Sequence, residues 1–275
     1  IIVPDDYPTI QEAINNAIEG ETIYVRAGVY YEHIVLNKSL SLIGESRNST
    51  IIDGSGVGTI VLITANDVCI KSFTLRNSGN IGPRNGMEDS GIHAYLTSNI
   101  TISDCIVTNT RIGFKVGSTN SSIIGNIAIN NYYGIQFGVD NNIIAQNYIE
   151  NNYHGIDIHT ASNNVVFENY IKNNYYGIVV YSQPSTSEFS NDNLIFHNIL
   201  INNTYHASVV GPSTNIWDNG YPSGGNYWSD YNGTDLYSGV YQNETGSDGI
   251  GDTPYVIDEN NVCLLYTSPS PRDRG

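Results

Sequence analysis

Asn130-Asn131-Tyr132-Tyr133-Gly134-Ile135, Asn151-Asn152-Tyr153-His154-Gly155-Ile156 and Asn173-Asn174-Tyr175-Tyr176-Gly177-Ile178 are three copies of one phrase. A variant, Asn109-Thr110-Arg111-Ile112-Gly113-Phe114, precedes them, and a worn copy, Asn202-Asn203-Thr204-Tyr205-His206-Ala207, follows. The Gly positions 91, 113, 134, 155 and 177 lie 22, 21, 21 and 22 residues apart. A fixed period of this size marks a solenoid.

Between the glycines lie short β-branched runs rather than helical patterns, so the repeat is built from strands. Two further Asn columns keep the same beat: Asn120, Asn141, Asn163, Asn193 and Asn215, and Asn126, Asn147, Asn169 and Asn198 with Asp104 in register. Three turn columns per repeat imply three strands per coil. Asn suits such corners because it tolerates the left-handed conformation, and stacked amides can form ladders along the axis. The spacing predicts an all-β parallel β-helix in which residues about one period apart are vertical neighbours.

The 275 residues form one elongated domain at this period. No apolar run approaches the ~20 residues of a membrane span. A net charge of −16 with only 11 Lys and Arg argues against nucleic acid as a partner. Three cysteines supply neither a disulfide framework nor a metal spacing, and Cys69 and Cys105 fall on different strands of neighbouring coils as free thiols. Seven Asn-x-Ser/Thr sequons and the lack of an initiator Met fit a processed or truncated, exported glycoprotein.

In order, residues 1–60 hold a capping helix and the first coils, 61–219 the repeats, and 220–262 a closing segment. Pro8–Ala17 reads as the only helix, with Pro8 at its first position, Gly20 as its C′ residue and an apolar face that plugs the open coil. Strands follow at Thr22–Arg26, His33–Leu36, Ser39–Ile43 and Thr50–Ile52, with Ala27-Gly28 as a break. Two insertions, Asn77–Ser90 and Gln183–Asp192, border the strand column after the repeat Gly and read as walls of a groove. Residues 263–275 match a translated sequencing adapter rather than a native C-terminus.

Ala27-Gly28-Val29-Tyr30-Tyr31-Glu32, Ser41-Leu42-Ile43-Gly44 and Thr50-Ile51-Ile52-Asp53-Gly54 resemble the opening coils of pectin-lyase-like proteins. The Asn-Asn-x-x-Gly-Ile repeats resemble the NosD-type, carbohydrate-binding-and-sugar-hydrolase group of that fold. Gly224-Gly225-Asn226-Tyr227-Trp228-Ser229-Asp230-Tyr231 is similar to the closing segment of archaeal secreted members. The resemblance implies a single-stranded right-handed parallel β-helix, monomeric or part of a larger surface protein, located outside the cell. It spans hydrolases, lyases, epimerases, copper-site accessory proteins and surface proteins. Paired Asp with Gly-His-Gly, as in polygalacturonases, is missing, with Tyr153-His154-Gly155 only a fragment; pectin methylesterase motifs and the epimerase Asp-Pro-His are missing too.

Alternation on the strand after each Gly sends Ile92, Phe114, Ile135, Ile156 and Ile178 inward. The outward columns read His93, Lys115, Gln136, Asp157, Val179 and Tyr95, Gly117, Gly138, His159, Tyr181. Lys115 and Asp157 should stand roughly 10 Å apart, and Asp157 and His159 about 7 Å apart. These spacings make Lys115, Asp157 and His159 the candidate catalytic group, with His93, Tyr95, Gln136 and Tyr181 as substrate contacts. His159 or Tyr181 could serve as base in a lyase or epimerase while Lys115 meets a sugar carboxylate. Hydrolysis needs two carboxyls, and the loop acids Glu88 and Asp89 fall three coils from Asp157. A solvated face with mixed polar residues is the plain alternative. Tyr153 and Tyr175 in the corner column Tyr132, Tyr153, Tyr175, Tyr205 offer ring faces to sugar, or simply stack. Glu244, Asp248 and Asp252 make a candidate calcium loop, with Gly246 where a carboxylate is expected. Copper would find one Met and no paired His or Cys.

Three functions follow: an extracellular polysaccharide-binding protein with lyase, epimerase or hydrolase activity; a structural or adhesive surface spacer; and a NosD-like copper-site accessory protein.

Overall fold

The computed structural model describes residues 1–82 and 88–263. It is a right-handed parallel β-helix whose three sheets hold nine, eight and nine strands, each strand paired with its counterparts one coil below and above. The eight-stranded sheet runs from Ile34–Leu36 through Val61–Ile63, Ser90–Ser98, Ile112–Thr119, Tyr133–Phe137, His154–His159 and Tyr176–Tyr181 to Tyr205–Val210. This sheet carries the groove. Its inward side chains Ile92, Phe114, Ile135, Ile156 and Ile178 are fully buried in a continuous aliphatic core.

Each corner divides its work between two successive residues. The first takes the left-handed conformation: Asn120, Asn141, Asn163 and Asp192 have φ between +53° and +64°. The second points inward and bonds along the axis. Asn142 N donates to Asn164 Oδ1 (2.8 Å), Asn164 N to Asn193 Oδ1 (3.0 Å) and Asn193 N to Asn215 Oδ1 (3.1 Å). The Asn columns read from sequence merged these two roles: Asn193 and Asn215 belong with Asn164, not with Asn163. Likewise Asp104 aligns with the left-handed Gly125, and Cys105 with Asn126, whose Oδ1 it meets at 2.9 Å. A third ladder runs Thr110, Asn131, Asn152, Asn174, Asn203. The ladders satisfy corner amides that no strand reaches, as buried N–H groups require.

The repeat Gly has a steric cause. A Cβ on Gly155 would stand 2.5 Å from Gly177 O and 3.1 Å from Ile171 Cγ2, and Gly134 and Gly177 are equally tight. In the last coil the constraint lapses. His206 occupies the Gly position, and its side chain is buried among Asn203, Ser229 and Asp230 of the closing segment.

The helix spans Ile10–Asn16, shorter than expected, because Thr9 rather than an earlier residue caps it; its Oγ1 accepts from Glu12 N at 3.1 Å. Pro8 therefore precedes the cap, and Gly20 (φ +81°) turns the chain beyond the helix instead of ending it. Ile10, Ala13 and Ile14 cover the first coil. Gly28–Tyr30, expected to open with a break, is a strand paired with Thr50–Asp53. At the far end Trp217 and Trp228 are buried, Trp228 stacks on Tyr255 (4.1 Å), and Asn261 supplies the last rung of the first ladder through Asn215 N. Cys69 and Cys105 are unbridged. Of the adapter-like stretch only Cys263 falls within the described residues.

Candidate functional site

The groove sheet keeps the expected register. His93 pairs with Lys115, Lys115 with Gln136, Gln136 with Asp157 and Asp157 with Val179; Tyr95 pairs with Gly117 and His159 with Tyr181. It is no open solvated face. His93 is 2% exposed, Asp157 4% and Val179 5%, and two contiguous cavities of about 590 and 520 Å³ lie along the sheet, sharing Tyr133 and His159.

Glu88 was expected three coils from Asp157. Its carboxylate meets the adjoining coil, at Lys115 Nζ (2.9 Å) and Arg111 Nη2 (3.4 Å). Glu88 stands two residues before the groove strand of its own coil and leans onto the next one, where Arg111 and Lys115 lie. Lys115 is thus already paired. The second insertion, Gln183–Asp192, contributes nothing to either cavity among the described residues. Its Ser190 instead bonds Ala161 N and Tyr181 O at the neighbouring corner.

Asp157 is the buried acid of the groove. Its Oδ2 lies 3.6 Å from His154 Nδ1 and its Oδ1 3.7 Å from His159 Nδ1, yet Oδ1 accepts no hydrogen bond. The side chains of Asp157 and His159 lean together, closer than their backbone spacing suggests. His154, read as part of a fragmentary Gly-His-Gly, was not among the candidates, since strict alternation puts residues three apart on opposite faces. Gly155 and Ile156 both face inward here, as the neighbours of a Cβ at Gly155 show, and this doubling returns His154 to the face of Asp157. An ionisable residue just before the repeat Gly was the available signal.

His154 is sandwiched between Tyr133 (4.7 Å) and Tyr176 (5.1 Å), and His159 stacks on Tyr181 (4.5 Å). Burial pushes the His154 pKa down, against the pull of Asp157. Burial, aided by Asp157, pushes the Tyr133 phenol up to about 12. Burial and then Lys115 bring His93 down to about 4, so its imidazole is neutral at pH 7.

The corner rings are ordered differently from the sequence columns. Tyr205 pairs with Tyr176 rather than Tyr175, giving Tyr133, His154, Tyr176, Tyr205 as one column. Tyr132, Tyr153 and Tyr175 form the other, stacked at 4.9 Å with interplanar angles of 17° and 5°. The faces of Tyr153 are therefore covered by its neighbours, as is one face of Tyr175, and Arg111 lies over Tyr132. These tyrosines present edges and hydroxyls, not faces, to the groove.

The cap acids do not converge. Asp252 accepts from Leu236 N (2.8 Å) and Tyr237 N (3.0 Å), Asp248 from Ile250 N (3.0 Å) and Gly239 N (3.2 Å), while Glu244 is exposed in a two-stranded ribbon. Carboxylates committed to backbone amides fasten the loop rather than gather around calcium. Among the described residues no group of three or more His, Cys, Asp or Glu could hold a metal ion, and no helix is long and apolar enough to cross a membrane.

Residues 14–233 match the family model described as periplasmic copper-binding protein (NosD). A cell surface glycoprotein of Methanothermus fervidus is 34% identical over 105 residues, which is 37% of this chain and 16% of that relative. The chain thus spans about a sixth of the length of that curated relative. A family 28 exopolygalacturonase of Yersinia enterocolitica superposes with a TM-score of 0.58 at 14% identity, over 75% of this chain and 53% of the other. An alginate lyase of Paenibacillus gives 0.53 at 13% identity, over 80% and 94%. At these identities the two structures speak for the fold. The copper in the family's description has no fitting donor set among the described residues, none of whose His, Cys, Asp and Glu form a group of three or more that could hold a metal ion.

Proposed function

We infer that this chain, which belongs to the NosD family, binds a neutral glycan along its groove at the cell exterior, holding it rather than cleaving it. The observation that carries this reading is the seating of Glu88 on Lys115 at 2.9 Å. A lyase or epimerase needs a cation available to a sugar carboxylate, and this one is compensated. A hydrolase needs two carboxyls working as a pair ~5–9.5 Å apart, but Glu88 is tied between two cations. Arg111 and Lys115 balance Glu88 and Asp157, so the groove is near neutral in a chain of net charge −16, whose field opposes polyanions. Rings of Tyr95, Tyr133, His159, Tyr176 and Tyr181 line the groove, offering apolar area with polar tips that suits sugars. The surface glycoprotein relative, the periplasmic family description and the sequons support an exterior location.

The test is a glycan array of neutral and uronate oligosaccharides, with the same mixtures assayed for new reducing ends and unsaturated uronate. Binding of neutral probes without products is expected. Products from the wild type that vanish with Asp157→Asn would establish an enzyme and overturn the reading. A second reading, a rigid spacer within a larger surface protein, is favoured by the glycoprotein relative and predicts that no probe binds.

A further inference from the structure

In the outward column Tyr95, Gly117, Gly138, His159, Tyr181, two successive rungs lack a side chain. Tyr95 and His159 are therefore three coil steps apart, ~14 Å at the usual strand spacing, with only backbone between them. This gap opens the cavity of about 590 Å³. The two glycines differ. A Cβ on Gly117 would meet Ala94 O at 2.8 Å, so packing itself demands glycine there. At Gly138 the only contact is His159 O at 3.3 Å, and the fold leaves room for a side chain with a small adjustment. The emptiness of that rung is not explained by the core.

Two further features point into the gap. Tyr181 covers one face of His159 at 4.5 Å and 12°, which leaves the face toward Gly138 bare. At the opposite end His93, 2% exposed, lines the cavity and packs edge-on to Tyr95 (5.5 Å, 78°), and its Nδ1 has no hydrogen-bond partner.

We propose that this notch is the specificity subsite of the groove and takes a disaccharide-sized stretch of uncharged sugar. One ring lies flat on His159 above Gly138, and a hydroxyl of the other bonds the His93 imidazole where it lines the cavity. The proposal rests on the glycan-binding reading and deepens it. Desolvation keeps the His93 imidazole neutral at pH 7, so it recognises a hydroxyl rather than a carboxylate. On the adjoining wall Glu88 is held between Lys115 and Arg111, so neither cation stands alone toward a sugar.

The experiment is calorimetric titration of the full chain with cellohexaose, mannohexaose and chitohexaose, and with hexagalacturonate as the acidic comparison. At least one neutral probe binds. Gly138→Leu, which fills the notch, weakens that probe at least tenfold, Gly138→Ala weakens it less, and His93→Phe weakens it several-fold, each with near wild-type melting. Unchanged binding by Gly138→Leu and His93→Phe overturns the notch while leaving glycan binding by the groove intact. Should Gly138→Leu fail to fold, Gly138→Ala and His93→Phe decide alone. Preference of the wild type for hexagalacturonate, or binding of no neutral probe, overturns both.

Discussion

The amide ladders inside the corners and the outward columns of the groove sheet are cut from the same coils but follow opposite rules. Inside, each rung repeats the last: Asn126, Asn147, Asn169, Asn198 and Asn226 hand one another the same hydrogen bonds. Outside, no two neighbours in the column His93, Lys115, Gln136, Asp157, Val179 are alike. An interior amide must satisfy the coils above and below at once, so translation along the axis forces identity. An outward side chain answers only to its local neighbours and is at liberty to carry chemistry. Repetition marks what holds the solenoid up, and its interruption marks where the solenoid meets something else.

The sharpest way to break this comparison is to remove a rung. Asn169 Oδ1 accepts from Asn147 N and Asn147 Nδ2, and its own amide donates to Ile144 O and Asn198 Oδ1. Asn169→Ala strands buried donors and acceptors, and should cost roughly 3–4 kcal/mol in denaturant unfolding. A loss below about 1 kcal/mol would mean that the ladder is ornament.

The glycines sharpen the comparison further. Gly155→Ala drives a Cβ to 2.5 Å from a backbone oxygen and should destabilise by roughly 2–3 kcal/mol, whereas Gly138→Ala should stay within about 1 kcal/mol. Equal losses in urea titrations of the two variants would erase the distinction between an interior and a groove glycine.

The smallest effect comes from pH. The folded-state pKa of His93 is lowered to about 4, below its unfolded value near 6.5, so the unfolded chain binds the proton first as pH falls. Its contribution is whole above the unfolded value and drains away between about 6.5 and about 4. At pH 5 the loss is roughly 2 kcal/mol. Burial lowers His154 and His206 too, adding to the same trend. Melting curves from pH 7.5 to 5 should show the decline, and His93→Phe should flatten it in part. An identical slope in the variant would mean that His93 is hydrated in the folded protein.

Much of the scaffold was legible because the period is written in residues that have no choice. Gly134, Gly155 and Gly177 are forced by a neighbouring backbone, and the rung order of His93, Lys115, Gln136 and Asp157 follows from counting. The corners were read with two adjacent roles blurred together, since Asn serves both as the left-handed turn residue and as the inward amide. Asn163 beside Asn164 gives no clue which is which, and the insertion before Asn193 shifted the count. His154 was passed over because alternation fails at the doubled inward step Gly155-Ile156, which strand periodicity cannot foresee. The Tyr153 and Tyr175 rings were offered to sugar because a column of aromatics in sequence does not say that their faces are spent on each other.

By itself the sequence determined the period, the three parallel sheets and which residues are vertical neighbours, because those follow from translation by one coil. Only the tertiary structure decided that Glu88 closes on Lys115, that His154 and His159 crowd a buried Asp157, and that Gly117 and Gly138 leave a notch between Tyr95 and His159. Those contacts depend on which way side chains lean, and that is not encoded in a repeat.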